Sequence, residues 1–327
     1  MSILSIVIPT YNRSNKLFRL LKNIEDEVTD LNFSIRVYVS DNASNDDTEI
    51  VVKNFKTNAF NLEYYRQEKN IGFDGNVRFL YDKAKSEYVW FFSDDDILLP
   101  RSIETVINGL LTTNPDVLLY SFNQPKESTS RTFNFLSEFE LIRDPKQIIK
   151  LVGCYPKLSI YVCRKVLLSD KSQHDLIQFH ENGFFWIDLC YSILLESDNN
   201  ILCVISKPLA SCDDDFINIR FDPNVFLYFH NVYKHPYVVQ YLPKMSEEFR
   251  ACSYYNTIQL LFAVKVGALK ADDPDLYDRE IKNFVFLPLL LLRNPKAMFQ
   301  LLLIKYKFYI LYAVYKQLRL SIINLRL

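Results

Sequence analysis

Five short runs rich in β-branched and aromatic residues, at residues 5–9, 35–40, 62–66, 88–93 and 117–122, end in polar clusters and alternate with segments of helix length. That spacing is the βαβ rhythm of a parallel sheet, because parallel neighbours need a crossover long enough to hold a helix. Residues 14–26 fit the first crossover: Leu17, Leu20, Leu21 and Ile24 fall on one helical face, with Ser14 placed to cap the N-terminus. Open sheets of this kind bind ligands beyond the carboxyl ends of their strands. The residues after the first, second and fourth runs are therefore the candidates for chemistry. They are strongly polar: Pro9-Thr10-Tyr11-Asn12-Arg13, Asp41-Asn42-Ala43-Ser44-Asn45-Asp46 and Ser93-Asp94-Asp95-Asp96.

A chain of 327 residues exceeds one ordinary domain, and the strand signal fades after about residue 216. The expected organisation is a catalytic α/β domain over residues 1–215 and a mainly helical region over 216–327, where Ile258, Leu261, Phe262 and Val266 recur at helical spacing. Residues 124–131 read as a surface loop. Charge sharpens the division: the net charge of -1 hides nine basic residues and one acidic residue from Arg279 onward, a basic tail on an acidic body. Cys154, Cys163, Cys190, Cys203, Cys212 and Cys252 form no Cys-x-x-Cys pair and have no histidine at zinc spacing, so they read as reduced core thiols in a cytoplasmic protein. His174, His180, His230 and His235 share no spacing that suggests a site. The N-terminal apolar stretch ends at Pro9 with no basic region before it, which reads as a first strand rather than a signal peptide.

The acidic triplet at residues 94–96 carries the strongest chemical signal. A run that is apolar and aromatic from Tyr88 to Phe92 delivers three carboxylates at its carboxyl edge, where a hard divalent cation finds oxygen ligands and a diphosphate completes the shell. The other reading of the triplet is a solvated turn or a helix N-cap near Pro100. A second triplet, Asp213-Asp214-Asp215, stands too far from a strand end and reads as loop. No Gly-x-Gly-x-x-Gly and no Gly-Lys-Ser/Thr loop occurs, which argues against dinucleotide oxidoreductases and P-loop NTPases.

Taken in order, IPTYNR (residues 8–13), SDNASNDDT (40–48), EKNIGFDGN (68–76) and FFSDDDILLP (91–100) resemble glycosyltransferase family 2, inverting enzymes of the GT-A fold, over about residues 3–210. The resemblance implies a Rossmann-like, doubly wound, mostly parallel α/β sheet, a nucleoside-diphosphate sugar donor, and Mg²⁺ or Mn²⁺ as cofactor. It implies donor contacts from Pro9, Thr10, Tyr11 and Arg13, with Tyr11 placed to stack on the base, and from Asp41 and Asn42 at the base edge. Asn42 stands where the family has a second acid; an amide both donates and accepts, so the base stays undecided. Asn70, Gly72 and Asn76 match the family's stretch at the donor ribose and phosphate, a glycine turn capped by asparagine being the alternative.

Aligning Pro100 with the family's proline puts Ser93 at the first acid of the motif and Asp95 at the principal metal position. Asp94 then serves ribose, phosphate or metal, and Asp96 is a supporting or helix-capping acid. The family places a Glu-Asp pair about twenty residues before a Pro-Leu; counting back from Pro208-Leu209 reaches Asp188, just ahead of a helix at residues 189–195, and the resemblance makes it the acceptor-side base, with N-capping as its alternative role. The Glu that the family places before it is Ile187 here, and Glu181 is the substitute candidate.

In the tail, the apolar run at residues 284–292 is too short to span a bilayer. Lys305, Lys316, Arg319 and Arg326 fall within one arc of a helix, opposed by apolar and tyrosine side chains, as in an interfacial helix on anionic lipid. Packing on the body or a homo-oligomer contact would use the same face. The expected partners are the sugar-nucleotide donor, which gives up a hexosyl or deoxyhexosyl unit, and a glycan or lipid-linked glycan acceptor. By resemblance the setting is O-antigen or capsule assembly at the inner face of the cell membrane, with no nucleic acid. Two rivals stand beside this reading. A sugar-nucleotide pyrophosphorylase resembles its relatives in a Gly-rich first loop, which IPTYNR lacks; a non-catalytic binding protein of the same fold is opposed by the intact Asp94-Asp95 and favoured by the missing Glu.

Overall fold

The computed structural model describes residues 2–29, 31, 33–123, 132–153, 157–166, 184–196, 200–212, 220–221, 236–242 and 270–271. The chain divides into two compact units, Met1–Phe216 and Ile217–Leu327.

The first unit opens with strict alternation: β1 Leu4–Thr10, α1 Ser14–Val28, β2 Ile35–Asp41, α2 Thr48–Asn54, β3 Asn61–Arg66, α3 Phe73–Lys83 and β4 Tyr88–Phe91. The four strands run parallel in the order β3-β2-β1-β4. Next come β5 Asp96–Leu98, α4 Ser102–Thr113, β6 Val117–Asn123, β7 Glu140–Ile142, α5 Pro145–Gly153, a 3₁₀ turn at Leu158–Ile160, β8 Tyr161–Arg164, α6 Phe185–Leu195 and β9 Leu202–Cys212. The sheet continues past β4 as β8-β6-β9-β5, with β7 also on β9. Here β8 is antiparallel to β4 and β6, whereas β6 and β9 are parallel. The GT-A type of α/β sheet expected from the sequence is thus present, with antiparallel strands inserted in its second half.

Aromatic side chains fill much of the core around β4. All four residues of β4 are buried, as a central strand covered on both faces requires. Trp90 of this strand, Tyr120 of β6 and Tyr161 of β8 are fully buried, and each polar tip finds an acceptor: Trp90 Nε1 donates to Ser159 O at 2.7 Å, Tyr120 Oη to the same carbonyl, and Tyr161 Oη to Val152 O at 2.6 Å. Each such ring contributes about 1.5–3 kcal/mol of burial and holds the strand whose end carries the acidic triplet.

Helix starts differ from the sequence expectation. Ser14 is the first residue of α1, not its cap; its amide donates to Asp46 Oδ2 at 2.9 Å, so the β2–α2 loop does the capping. Asp96 does not cap α4 either. It begins β5, and the amides of Arg101 and Ser102 donate to Glu27 of α1 at 3.0 and 2.7 Å. The helix of residues 189–195 starts earlier, at Phe185, which places Asp188 in its first turn.

In the second unit the described residues comprise a helix at Pro236–Tyr241 and a parallel pairing of Arg220–Phe221 with Lys270–Ala271. Four expectations lie outside the described residues: the loop at 124–131, Asp213-Asp214-Asp215, the helix around Ile258, and the basic tail. Cys163, Cys190, Cys203 and Cys212 are buried free thiols, while Cys154, Cys252 and all four histidines lie outside the described residues. Among the described residues no helix is long and apolar enough to cross a membrane.

Candidate active site

The carboxyl ends of β1, β2 and β4 converge on one cleft. β4 pairs with β1 only as far as Val7–Phe91, so residues 8–10 run on past it, and Asp94 beyond β4 accepts a hydrogen bond from Thr10 Oγ1. A cavity of about 370 Å³ results, within the range of small-ligand pockets. Pro9, Thr10, Tyr11 and Arg13 line one side, and Asn42, Asn70, Gly72 and Asn76 the other, with Asp94 at the acidic end. Ser93 and Phe73, to which the sequence reading assigned no donor contact, complete the lining. Tyr11 is 42% exposed, a ring free to meet a planar base.

Asp41 lies beneath this surface, fully buried. Its Oδ1 accepts the Ser44 amide at 2.8 Å and its Oδ2 the Tyr64 hydroxyl at 2.8 Å, which fixes the β2–α2 loop. Asn42 uses its amide to bind the opposite wall: Nδ2 donates to Asn70 Oδ1 at 2.9 Å and to Gly72 O at 3.1 Å, and Oδ1 accepts the Ile71 amide at 2.8 Å. A carboxylate could keep only the last of these bonds. Gly72 has φ +78°, a left-handed turn suited to glycine, and Asn76 exchanges hydrogen bonds with Ser40 through Oδ1 at 2.6 Å and Nδ2 at 2.9 Å.

The acidic end is organised by two cations. Arg13 Nη1 lies 2.8 Å from Asp94 Oδ1 and 2.8 Å from Asp95 Oδ2. Asp94 also accepts Thr10 Oγ1 at 2.7 Å; burial outweighs Arg13 and pushes its pKa up to about 6. Asp95 accepts Ser93 Oγ at 2.5 Å. Burial works against its charge, but Arg13 and then Lys157 hold its pKa below the usual carboxylate range. Asp96 faces away from the cavity, paired with Lys157 Nζ at 2.9 Å in a geometry short of a directed hydrogen bond, and bonded to Ser159 Oγ; burial raises its pKa to about 6. Lys157 and Ser159 lacked any motif that would single them out in the sequence.

Among the described residues no cluster of three or more His, Cys, Asp or Glu could hold a metal ion. The oxygens present fit a narrower role. Asp95, partly exposed beside the cavity, offers one hard ligand, as in sites that draw their remaining ligands from substrate phosphates and water. Any such ion must share Asp94 and Asp95 with Arg13.

Asp188 lies in the first turn of α6, half-buried and outside the lining of the cavity. Burial, and next the charge of Asp74, raise its pKa well above the usual range. The start of α6 reaches the cavity through Phe73, whose ring meets Trp186 edge-on at 5.8 Å. Glu181 lies outside the described residues.

This cleft, with nucleotide-sized space and acids at a strand end, is the site expected of a GT-A glycosyltransferase. Residues 5–168 match the family model described as Glycosyl transferase family 2, and the chain belongs to that family. Over 230 residues it is 29% identical to the abequosyltransferase RfbV of Salmonella typhimurium, covering 65% of this chain and 67% of that one. Over 106 residues it is 34% identical to the GalNAc(5)-diNAcBac-PP-undecaprenol beta-1,3-glucosyltransferase of Campylobacter jejuni, but this covers only 32% of this chain and 33% of the relative. Among solved structures, S. aureus TarS 1-349 in complex with UDP superposes with a TM-score of 0.57 at 15% identity, covering 94% of this chain and 91% of that one, a likeness of fold.

Proposed function

We propose that the chain transfers one sugar from a nucleoside-diphosphate sugar to an acceptor hydroxyl, with inversion, in the assembly of a surface polysaccharide. The observation that carries this reading is the cavity between Pro9–Arg13 and Asn70–Asn76, closed at one end by Arg13, Asp94 and Asp95. The nucleoside lies between Tyr11 and the Asn42–Asn70 wall, and the diphosphate reaches Arg13. A bound Mg²⁺ or Mn²⁺ at Asp95 supplies neutralising charge for the leaving diphosphate. The acceptor oxygen attacks the anomeric carbon from the side opposite the diphosphate, its proton passes to Asp188, and the bond to the diphosphate oxygen breaks.

Of the two named relatives, one is an abequosyltransferase and the other a glucosyltransferase named for an undecaprenol-linked glycan, which supports a glycan or lipid-linked glycan acceptor here. The basic, apolar tail supports work at an anionic membrane surface on the cytoplasmic side, with self-association as the competing use. A thermal-shift screen of nucleoside diphosphates, UDP first, with and without Mn²⁺ tests the reading. One base should raise the melting temperature only when metal is present. Equal shifts without metal would remove the metal-assisted mechanism, and no shift with any base would remove the donor site.

A further inference from the structure

Two acids that begin helices come together where α3 and α6 start. α6 has no side-chain cap of its own, because the residue before it is Phe184. The first amides of a helix need acceptors from elsewhere. Asp74, in the first turn of α3, provides one: its Oδ1 accepts the Phe185 amide at 3.2 Å. Rings join the same two helices, Phe73 to Trp186 at 5.8 Å and Tyr81 to Phe185 at 6.0 Å. Gly72 and Phe73, directly before Asp74, line the cavity. One wall of the donor cavity and the turn that carries Asp188 are thus fastened through Asp74.

We propose that Asp74 is a positioning residue for the acceptor side of the reaction, capping α6 from the neighbouring helix and holding a negative charge beside Asp188. The proposal rests on the reading of Asp188 as the base. A carboxylate that binds its proton more tightly is a stronger base, and both burial and Asp74 act on Asp188 in that direction. Each acid sits in the first turn of its helix, where the dipole favours negative charge and offsets part of the cost of burial. The charge of Asp74 acts on Asp188. α5, β6 and β8 also pack on α6, and the buried thiols of Cys163 on β8 and Cys190 on α6 have raised pKa values that keep them neutral.

Two variants separate the cap from the charge. Asp74→Asn keeps an oxygen for the Phe185 amide and removes the charge, while Asp74→Ala removes both. The full chain, labelled with carbon-13 at the aspartate carboxyls and with Asp188 assigned through Asp188→Asn, is titrated by NMR without substrate. In Asp74→Asn the Asp188 midpoint should fall by at least about half a pH unit, a change that a purely structural role would not produce. In Asp74→Ala the Phe185 amide should exchange with solvent at least about tenfold faster, and in Asp74→Asn it should stay protected. An unchanged midpoint in Asp74→Asn, or unchanged exchange in Asp74→Ala, overturns the proposal. If Asp74→Ala does not fold, the titration of Asp74→Asn decides alone. Full transfer by Asp188→Asn would instead remove the base reading, and with it the catalytic purpose of the pair, while leaving the measured coupling as it is.

Discussion

Arg13 Nη1 lies 2.8 Å from Asp95 Oδ2, so an arginine already holds the carboxylate that the family motif gives to the metal. A divalent ion arriving without nucleotide competes with this guanidinium, whereas a diphosphate offers Arg13 new acceptors and releases the carboxylate. Arg13→Gln should therefore bind Mn²⁺ at least about threefold more tightly in the absence of nucleotide, and bind nucleoside diphosphate more weakly at saturating Mn²⁺. Calorimetric titration of both ligands checks this. Weaker Mn²⁺ binding in the variant would mean that Arg13 assists the ion.

The Asp94 carboxyl gives a signed dependence on pH. Its folded pKa of about 6 lies above the 3.8 of an ordinary aspartate, so the folded state keeps a proton that the unfolded chain has released. Its contribution to stability is present below about 4, falls as pH rises to about 6, and is then gone. Asp94→Asn should match the parent near pH 4 and exceed it at pH 7 by on the order of 2 kcal/mol, at the expense of donor binding. Urea denaturation at the two pH values reads the difference, and a variant less stable than the parent at pH 7 contradicts it.

The Asn42 clamp predicts a loop defect. Asn42→Asp keeps the acceptor for the Ile71 amide but removes the two bonds donated to Asn70 and Gly72. Stability should fall by about 1–3 kcal/mol, with weaker nucleotide binding from a looser wall. A variant of unchanged stability and affinity would show that the wall holds itself.

Much of this site was legible because its parts are local. Alternating runs marked β1 to β4, and every donor residue expected from the motifs except Asp41 lines the cavity. Asp41 turned out to support the β2–α2 loop from below, and Asn42 to bind the opposite wall, because strand ends must satisfy their own loops before any ligand arrives. What escaped were contacts between distant positions. Arg13 and Asp95 are 82 residues apart and Asp74 and Phe185 are 111, and no local pattern joins them. The three-residue β5 and the antiparallel β8 are too short for periodicity to reveal. α1 and α4 are capped from other elements, so their starts could not be read from their own residues.

Asp188→Asn should leave metal-dependent nucleotide affinity intact and lower transfer by about 10² to 10⁴, as loss of a positioned base does. Donor titration and a transfer assay on the same preparation make the comparison. Near-normal transfer would move the role to another group, with Glu181 the first to replace.

The proposed function requires above all that the cleft bind a nucleoside diphosphate with a divalent ion held at Asp95. Calorimetric titration of Asp95→Ala and the parent, with the nucleotide chosen by the screen and with or without Mn²⁺, tests it most directly. The parent should gain at least about tenfold in affinity from the ion, and Asp95→Ala should remain folded but gain nothing. An equal gain from Mn²⁺ in both proteins would contradict it.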